Sequence, residues 1–310
     1  MIRIENLTKT FGLKKAVDDL SFSVERGEVL GFLGPNGAGK STTMRMITGF
    51  LPPTAGRISI GGHDVAEDGL AAKRLIGYLP ENAASYPDMS VEGFLGFAAE
   101  LRGLAGGAKK KAVGRVVDLC FLSSVLHQQI DTLSKGYRHR TCLAQSLIHD
   151  PDVLIMDEPT DGLDPNQKHE VRNLIREMGR TKAVIFSTHI LEEVDAACTR
   201  AIIIDRGRIV ANGTPEELRD MSDLAGAVTL SAPQADEAKL AALPEVARVE
   251  HLESHWLRVY PRDKHAPVAL AQSVMDLTRR EGWQVHSLHT EAGQLDEVFR
   301  RITLPDTVKK

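Results

Sequence analysis

The amino-acid sequence predicts an α/β fold built on a mostly parallel sheet, followed by a smaller α+β domain. Short β-branched runs alternate with helical runs over residues 1–222, and several of the short runs are apolar without alternation. Such runs are typical of strands that are covered on both faces. The order β-α-β-β-α-β follows in residues 223–302 and predicts a ferredoxin-like, split βαβ arrangement. We therefore predict two domains, 1–222 and 223–302, and a tail at 303–310.

The elements of the first domain are identified by their apolar runs and turn signals. The predicted strands are "EVLGFLG", "RLIGYLP", "DVLIMDEP", "AVIFSTH" and "AIIIDRG". The glycine and proline signals in "LPPTAGRISIGGHDV" predict a small antiparallel β part beside the parallel sheet. Residues 86–130 are predicted to be mainly helical, with a break at "GLAGGAKKK".

The second domain is predicted from four strand runs and two helical runs between them. The strands are "AVTLSA", "VARVEHLE", "HWLRVYPR" and "WQVHSLHT", and the helices are "DEAKLAAL" and "PVALAQSVMDLTRREG". A closing amphipathic helix, "GQLDEVFRRIT", has Leu295, Val298, Phe299 and Ile302 at spacings i, i+3, i+4 and i+7. The last residues, "LPDTVKK", are predicted to be a frayed tail.

The composition excludes several classes of protein. A formal net charge of -4 gives no electrostatic case for a nucleic-acid partner, so none is expected. No stretch approaches the ~18 apolar residues that span a membrane, and "MIRIENLTKT" lacks the apolar core of a signal peptide. The three cysteines have no metal-ligand spacing and are expected to be reduced and buried. A cytoplasmic location follows, with any membrane role acting through a partner.

The stretch "GPNGAGKS", residues 34–41, matches the phosphate-binding pattern G-x-x-x-x-G-K-[ST]. It lies between an apolar strand and a helical run, which is the context that the pattern requires. The glycines let the backbone N–H groups and the helix N-terminus face a phosphate. Lys40 is expected to reach the β- and γ-phosphates of ATP, and Ser41 to bind Mg²⁺. The alternative is an ordinary glycine-rich turn.

Two acidic residues and a histidine follow buried strands further along the chain. In "VLIMDEPTDGLD", Asp157 and Glu158 come after four apolar residues, where an acid pair is costly unless a cation or hydrogen bonds receive it. Asp157 fits a role in Mg²⁺ binding through water and Ser41, and Glu158 fits a role in polarising the attacking water. His189 follows the next strand, where α/β sheets place their ligands. Taken alone, the acids could equally be solvated carboxylates, and a lone histidine is more often structural.

Together, these motifs resemble the ATP-binding subunit of an ABC transporter over residues 1–222. The resemblance identifies Walker A at 34–41, Walker B at 153–158, the D-loop at 161–164 and the switch histidine at His189. It implies that Glu158 and His189 are catalytic, and that Ser41, Glu81 and Asp157 hold Mg²⁺. The residues that it implies for nucleotide binding are Phe11, which stacks on adenine, and Gly34, Pro35, Asn36, Gly37, Ala38, Gly39, Lys40, Ser41, Thr42, Ser134 and Gly136.

The stretch "LSKGYRHR", residues 133–140, lies where the family has its signature, usually L-S-G-G-Q. The resemblance implies that two copies of the chain sandwich two ATP molecules head to tail. Each ATP would lie between the Walker A loop of one copy and the signature turn of the other. Ser134 and Gly136 would then serve the partner's nucleotide, near its γ-phosphate, and hydrolysis would loosen the dimer.

The chain departs from the family pattern in three places. The signature has Lys135 for Gly and Tyr137 for Gln, and Lys135 could add a positive charge near the phosphates. Glu81 stands where the Q-loop usually has Gln, and a carboxylate there can still bind Mg²⁺. The D-loop reads "DGLD" in place of S-A-L-D.

These variants resemble export-type subunits, especially the gliding-motility-associated ones that carry a C-terminal accessory domain. The copper-maturation ATPases are a near alternative. Such subunits serve separate integral membrane permeases at the inner face of the cell membrane. Residues 81–105 are expected to form the groove for a permease helix, unless their apolar side chains are only the core of the helical insert. Those side chains are Tyr86, Met89, Phe94, Leu95 and Phe97.

Two other classes of function remain open from the sequence. One is a non-transport ABC ATPase of the translation or repair type, and the other is a nucleotide-dependent regulator that does not turn over. The C-terminal domain is expected to support dimerisation or regulation, and ligand sensing rests on fold analogy alone. Its histidines lack ligand spacing and are treated as scattered residues; among them are His251, His255, His265, His286 and His289.

Overall fold

The computed structural model describes residues 1–263 and 267–303, and it divides the chain into two compact units at Thr214 and Pro215. The sequence placed this boundary near residue 222. The helix Pro215–Asp220 accounts for the difference, because it packs against the C-terminal helix Leu295–Thr303 of the second unit.

The first unit alternates strands and helices. Its strands are β1 (Ile2–Phe11), β2 (Lys14–Val24), β3 (Val29–Leu33), β4 (Ala55–Ile60), β5 (His63–Asp64), β6 (Ile76–Leu79), β7 (Val153–Asp157), β8 (Ala183–Thr188), β9 (Arg200–Asp205) and β10 (Arg208–Gly213). Its helices are α1 (Lys40–Ile47), α2 (Gly69–Leu75), α3 (Val91–Leu101), α4 (Gly106–Leu119), α5 (Lys135–Leu147), α6 (Pro165–Gly179) and α7 (Leu191–Ala197).

The main sheet of this unit has the strand order β10-β9-β3-β8-β7-β6. The neighbours from β9 to β6 pair in parallel, and only β10 is antiparallel to β9. Every residue of β3, β7 and β8 is buried, which explains their unbroken apolar runs. The carboxyl ends of β3, β7 and β8 therefore meet at one edge, where open α/β sheets bind their ligands. The predicted α/β class is confirmed.

The antiparallel β part is larger than the sequence predicted. It pairs β2-β1-β4-β5, so both N-terminal strands join the predicted hairpin region. The helical insert consists of α3 and α4, followed by two short 3₁₀ turns at Ser123–Val125 and Ile130–Thr132. The predicted break is shorter than "GLAGGAKKK", because α4 already begins at Gly106 and uses both glycines in its first turn.

The second unit has the β-α-β-β-α-β order that the sequence predicted. Its strands are β11 (Val228–Ser231), β12 (Val246–His251), β13 (Trp256–Pro261) and β14 (Ser287–Thr290), and its helices are α8 (Pro215–Asp220), α9 (Glu237–Ala241), α10 (Pro267–Glu281) and α11 (Leu295–Thr303). The sheet is antiparallel in the order β12-β13-β11-β14.

One predicted strand of this unit, residues 283–290, was too long by half. Only Ser287–Thr290 is a strand, since the Trp283 N–H donates to the Thr278 carbonyl at 3.0 Å and closes the end of α10 instead. On α11, Leu295 and Val298 are buried and Phe299 and Ile302 are half-buried, in agreement with the predicted apolar face. The predicted tail lies outside the described residues after Thr303.

The described helices are all too short or too polar to cross a bilayer. The three cysteines are unpaired: Cys120 and Cys142 are buried and Cys198 is half-buried. Burial raises the pKa of Cys120 to about 12 and that of Cys142 to about 11, so both thiols are held neutral. They behave as the small buried hydrophobic residues that the sequence predicted.

Candidate active site

The Walker A loop connects β3 to α1 and has almost no room for side chains at its two ends. A Cβ atom at Gly34 would lie 2.5 Å from the carbonyl oxygen of Ile204. At Gly39 the backbone φ is +110°, and a Cβ atom would lie 2.5 Å from the carbonyl oxygen of Ala16. Both positions therefore require glycine for steric reasons. The loop is fixed against two neighbouring segments of backbone.

Lys40 is the first residue of α1 and is only 7% exposed. Its ammonium group donates to the carbonyl oxygens of Gly34 at 2.6 Å and Pro35 at 3.3 Å, so it lies across its own loop. Burial lowers the pKa of Lys40, although the nearby carboxylates of Glu158, Asp157 and Glu81 oppose that shift. A cation that is poorly hydrated and already positioned is well suited to an anionic ligand.

An open cleft of about 500 Å³ lies over this loop. It brings together residues that are far apart in the sequence: Phe11, Lys14, Ala16, Asn36, Gly37, Gly39, Lys40, Ser41, Thr42, Glu81 and Glu158. The Phe11 ring is half exposed, and the Lys9 ammonium lies 5.2 Å from its centroid. Of the other predicted positions in the loop, Gly34, Pro35 and Ala38 do not line the cleft.

The acidic pair at the end of β7 is organised by a residue that the sequence reasoning missed. Asp157 is 1% exposed, and its Oδ1 accepts a hydrogen bond from Ser187 Oγ at 2.6 Å. The same hydroxyl accepts a hydrogen bond from the Glu158 N–H at 2.9 Å. Ser187 lies on the neighbouring strand β8, so one hydroxyl fixes both the Asp157 side chain and the Glu158 backbone.

Glu158 and His189, which the sequence predicted to follow two buried strands, are in direct contact in the structure. The distance from His189 Nδ1 to Glu158 Oε2 is 3.0 Å. Glu158 has a positive φ of 51°, which turns its side chain back toward the cleft after the buried strand. Burial raises the pKa of Glu158, and the charges of His189 and Lys40 partly oppose the shift. A carboxylate with a raised pKa is a stronger base.

A second missed residue, Glu193 on α7, joins the segments that carry Glu158 and His189. It is 1% exposed and accepts hydrogen bonds from the Thr160 hydroxyl and, at 2.6 Å, from the Thr188 hydroxyl. Thr160 lies two residues after Glu158, and Thr188 directly precedes His189. The only signal in the sequence is an acidic residue beside the apolar Val194 in "ILEEVD".

We expect Glu193→Ala to lower the free energy of unfolding by about 1–3 kcal/mol, because it leaves two buried hydroxyls without their acceptor. Turnover of ATP should fall as well, since the Glu158 turn loses its tie to β8. Urea unfolding and steady-state ATPase assays measure the two effects. The matched control is Glu192→Ala, at an exposed position on the same helix. An E193A chain with the stability and turnover of E192A would contradict this role.

The signature turn lies away from the cleft of its own chain. Ser134 is the N-cap of α5, and its Oγ accepts from the Tyr137 N–H at 3.4 Å. Gly136 is buried, and a Cβ atom there would lie 2.5 Å from Gln167 Oε1. Neither Ser134 nor Gly136 is among the residues lining the cleft. The predicted site residues that do not line the cleft are this pair and Gly34, Pro35, Ala38, Asp157 and His189.

Lys135, in the same turn, does not project as a free cation. Its Nζ forms an ion pair with Asp161 Oδ2 at 2.9 Å, so the two departures from the family pattern are in contact. The positive charge expected near the phosphates is therefore balanced within the chain.

The apolar side chains of residues 81–105 divide between core and surface. Phe94 and Leu95 are buried in the helical insert, and Met89 packs against it. Tyr86 is exposed, with its ring 6.2 Å from Phe94 and 5.6 Å from Phe97. Tyr86, Phe94 and Phe97 line a surface pocket of about 350 Å³. The core interpretation is thus correct for Phe94 and Leu95, and the groove for a permease helix stays a prediction.

The histidines of the second unit gather no metal site among the residues that the structure describes, where no group of three potential ligands occurs. The rings of His255 and His286 are 5.6 Å apart. His265 lies outside the described residues.

Comparisons with known proteins agree with this fold and site. A family model described as ABC transporter matches residues 17–161. The chain is 37% identical to a linearmycin resistance ATP-binding protein of Bacillus subtilis (strain 168), over 84% of each protein. It is 34% identical to a Nod factor export ATP-binding protein of Ralstonia nicotianae, over 98% of this chain and 94% of that protein.

Solved structures show the same fold. The structure of an ATP-binding subunit of an ABC transporter superimposes with a TM-score of 0.66 at 30% identity, over 71% of this chain and 92% of that one. A dimeric bacterial ABC transporter cassette superimposes with a TM-score of 0.65 at 22% identity, over 69% of this chain and 99% of that one. The chain belongs to the ABC transporter family as an ATP-binding subunit, and it is an ABC ATPase.

Proposed function

We propose that this chain hydrolyses ATP as a dimer and thereby powers export through separate membrane subunits. The observation that carries the proposal is the Glu158 carboxylate, held 3.0 Å from His189 at the wall of the Walker A cleft. A half-buried base beside a phosphate-binding loop is the arrangement that phosphoryl transfer to water requires.

The residues of the cleft divide between the two ends of the nucleotide. Phe11 offers a half-exposed ring for stacking on adenine. The backbone of residues 34–42 and the Lys40 ammonium bind the phosphates, assisted by the positive end of α1. Glu158 accepts a proton from the attacking water, which adds to the γ-phosphorus as the bond to ADP breaks. His189 orients Glu158 and contacts the γ-phosphate.

The donor set also fits Mg²⁺, which prefers oxygen ligands. The Ser41 hydroxyl and the Glu81 carboxylate line the cleft. The charge of Asp157 is close enough to Lys40 to raise the pKa of its ammonium group. We propose Ser41, Asp157 and Glu81 as the residues that hold the ion, directly or through water. When bound, Mg²⁺ neutralises phosphate charge.

A second copy of the chain would complete each site. Ser134 and Gly136 do not line the cleft of their own chain, which supports this proposal. If the signature turn contacts a nucleotide, that nucleotide must be bound by another chain. In the proposed dimer, Ser134 and Gly136 contact the γ-phosphate bound by the partner's Walker A loop. ATP binding closes the two chains, and hydrolysis releases them.

Export through permease subunits is supported by the printed names of relatives, which include one for Nod factor export and one for linearmycin resistance. The surface pocket lined by Tyr86 and Phe97 supports the proposed permease contact, because an apolar pocket on a folded subunit suits a short helix. We place the chain in the cytoplasm, at the inner face of the membrane. Its gliding-motility-associated lineage stays a prediction.

Two experiments test the proposal. The Glu158→Gln variant, mixed with Mg-ATP, should become dimeric in sedimentation analysis, because it binds ATP without hydrolysing it. Lys40→Met is the matched control and should stay monomeric. An E158Q chain that stays monomeric beside its membrane subunits would contradict the dimer.

Co-purification distinguishes the classes of function. Recovery of a multi-span membrane protein with the tagged chain is the expected result. Recovery of ribosomes would favour a translation-type ABC ATPase, and ATP binding without turnover in the wild type would favour a regulator.

A further inference from the structure

The signature turn and the D-loop are joined inside one chain by an ion pair that packs over a glycine. Lys135 Nζ lies 2.9 Å from Asp161 Oδ2. The aliphatic part of Lys135 crosses Gly162, where a Cβ atom would lie 2.3 Å from Lys135 Cε and 2.6 Å from Lys135 Cδ. Gly162 also has a φ of +68°, so a side chain there would be strained as well as crowded.

Lys135, Asp161 and Gly162 are three of the four positions at which the two loops depart from the family pattern, and Tyr137 is the fourth. The pattern has Gly at 135, which has no side chain to reach the D-loop, and Ser and Ala at 161 and 162. An alanine at 162 would force the end of the Lys135 side chain to shift away from its present path, and a serine at 161 would leave the ammonium without its carboxylate. These three departures therefore fit one another. Gly162 leaves space for the Lys135 side chain, and Asp161 provides the carboxylate that pairs with the Lys135 ammonium.

The ion pair leads directly to the backbone of Glu158. The Asp161 N–H donates to the Glu158 carbonyl at 3.1 Å, closing the turn that follows β7. The N-terminal turn of α5 is thus attached through Lys135 and Asp161 to the turn that carries Glu158.

The energetics indicate a positioning role rather than a stabilising one. The side chains of Lys135 and Asp161 are 64% and 55% exposed. Exposed ion pairs contribute only ~0–1 kcal/mol to stability. The hydrogen bond from Lys135 lowers the pKa of Asp161, so the carboxylate stays charged at neutral pH. The pair therefore acts by holding the signature turn next to the D-loop.

We propose that Lys135 and Asp161 are a positioning pair that links the signature turn to the chain's own Glu158. This inference rests on the proposed dimer, in which Ser134 and Gly136 face the partner's nucleotide. When the partner's nucleotide contacts Ser134 and Gly136, it fixes the position of the signature turn. The ion pair between Lys135 and Asp161 then fixes the position of the turn that carries Glu158. Lys135 acts through Asp161 and is not a phosphate ligand.

A double-mutant cycle tests the pair, with Lys135→Met, Asp161→Asn and the double variant. Each single variant should lower kcat by up to about fivefold, the limit set by an exposed ion pair, and should bring the Hill coefficient for ATP closer to 1. The double variant should be no worse than either single one, because the link is already broken. Lys135→Arg keeps the charge and should retain most of the turnover.

The matched control is another exposed ion pair with the same separation. Arg180 and Glu177 lie 2.9 Å apart and are 69% and 65% exposed. Arg180→Met with Glu177→Gln should leave kcat and the Hill coefficient unchanged. The affinity of the isolated chain for a fluorescent ATP analogue should be unchanged in K135M and D161N, since neither residue lines the cleft.

Three results would overturn the inference while leaving the proposed function intact. They are additive losses in the double variant, a D161N chain with normal kcat and cooperativity beside an impaired K135M, and a K135R chain as impaired as K135M. A normal D161N chain beside an impaired K135M chain would indicate that Lys135 binds phosphate directly. A wild-type chain without Mg-ATP hydrolysis would overturn the proposed function, and the inference with it.

Discussion

Glu158→Gln is expected to lower kcat for ATP about 10²- to 10⁴-fold, the usual contribution of a general base. The amide has nearly the shape of the carboxylate but cannot accept the proton of the attacking water. The backbone of residue 158 should stay in place, because its N–H still donates to Ser187 Oγ. Steady-state phosphate release measures the loss.

Nucleotide affinity separates this loss from a structural defect. The Kd for ATP should be close to that of the wild type, because the Walker A backbone and Lys40 are untouched. Glu177→Gln, at an exposed surface position, controls for the loss of a negative charge and should retain full turnover. Unchanged turnover in E158Q would remove Glu158 from the catalytic role.

The pH dependence should report the same carboxyl group. Burial raises the pKa of Glu158 above its ordinary value of 4.5. The group is a base only above that pKa, so kcat/KM should rise with pH through an acid limb displaced upward from 4.5. The charge of His189 lowers this pKa, so His189→Asn should move the limb to higher pH. A limb at or below 4.5 would contradict the assignment.

Lys40→Met is expected to weaken ATP binding about tenfold to a hundredfold, because charge-assisted hydrogen bonds contribute ~1.5–3 kcal/mol each. Methionine keeps most of the apolar stem but has no cation for the phosphates. Equilibrium titration with a fluorescent ATP analogue measures the change.

The folded state should tolerate this substitution. Burial lowers the pKa of Lys40, which means that the folded chain disfavours its charged form. K40M removes that cost but also leaves the carbonyl oxygens of Gly34 and Pro35 without their donor, so Tm should change little. Lys14→Met is the comparison, because Lys14 lies in the same cleft but is exposed; its effect should be no more than a few-fold. A K40M chain that binds ATP normally would contradict the role of Lys40.

The sequence predicted the parallel sheet, the phosphate loop and the site residues that follow two of the buried strands. It could do so because these features rest on local patterns. Apolar runs mark buried strands, and glycines with Lys40 and Ser41 mark a loop that turns into a helix. The register of parallel strands then places Glu158 beside His189. The strand at residues 283–290 was predicted too long, because local propensity does not show that Trp283 closes α10.

The sequence by itself determined the fold class, the family and the order of the site residues along the chain. Only the tertiary structure decided how those residues are held: Ser187 on Asp157, Glu193 between Thr160 and Thr188, and Lys135 on Asp161. The contacts of Asp157 with Ser187, Thr160 with Glu193 and Lys135 with Asp161 join residues 30, 33 and 26 positions apart. At such separations, the side-chain partner depends on how neighbouring strands and helices pack. A polar residue in a buried run shows that a partner exists, and only the folded chain shows which one it is.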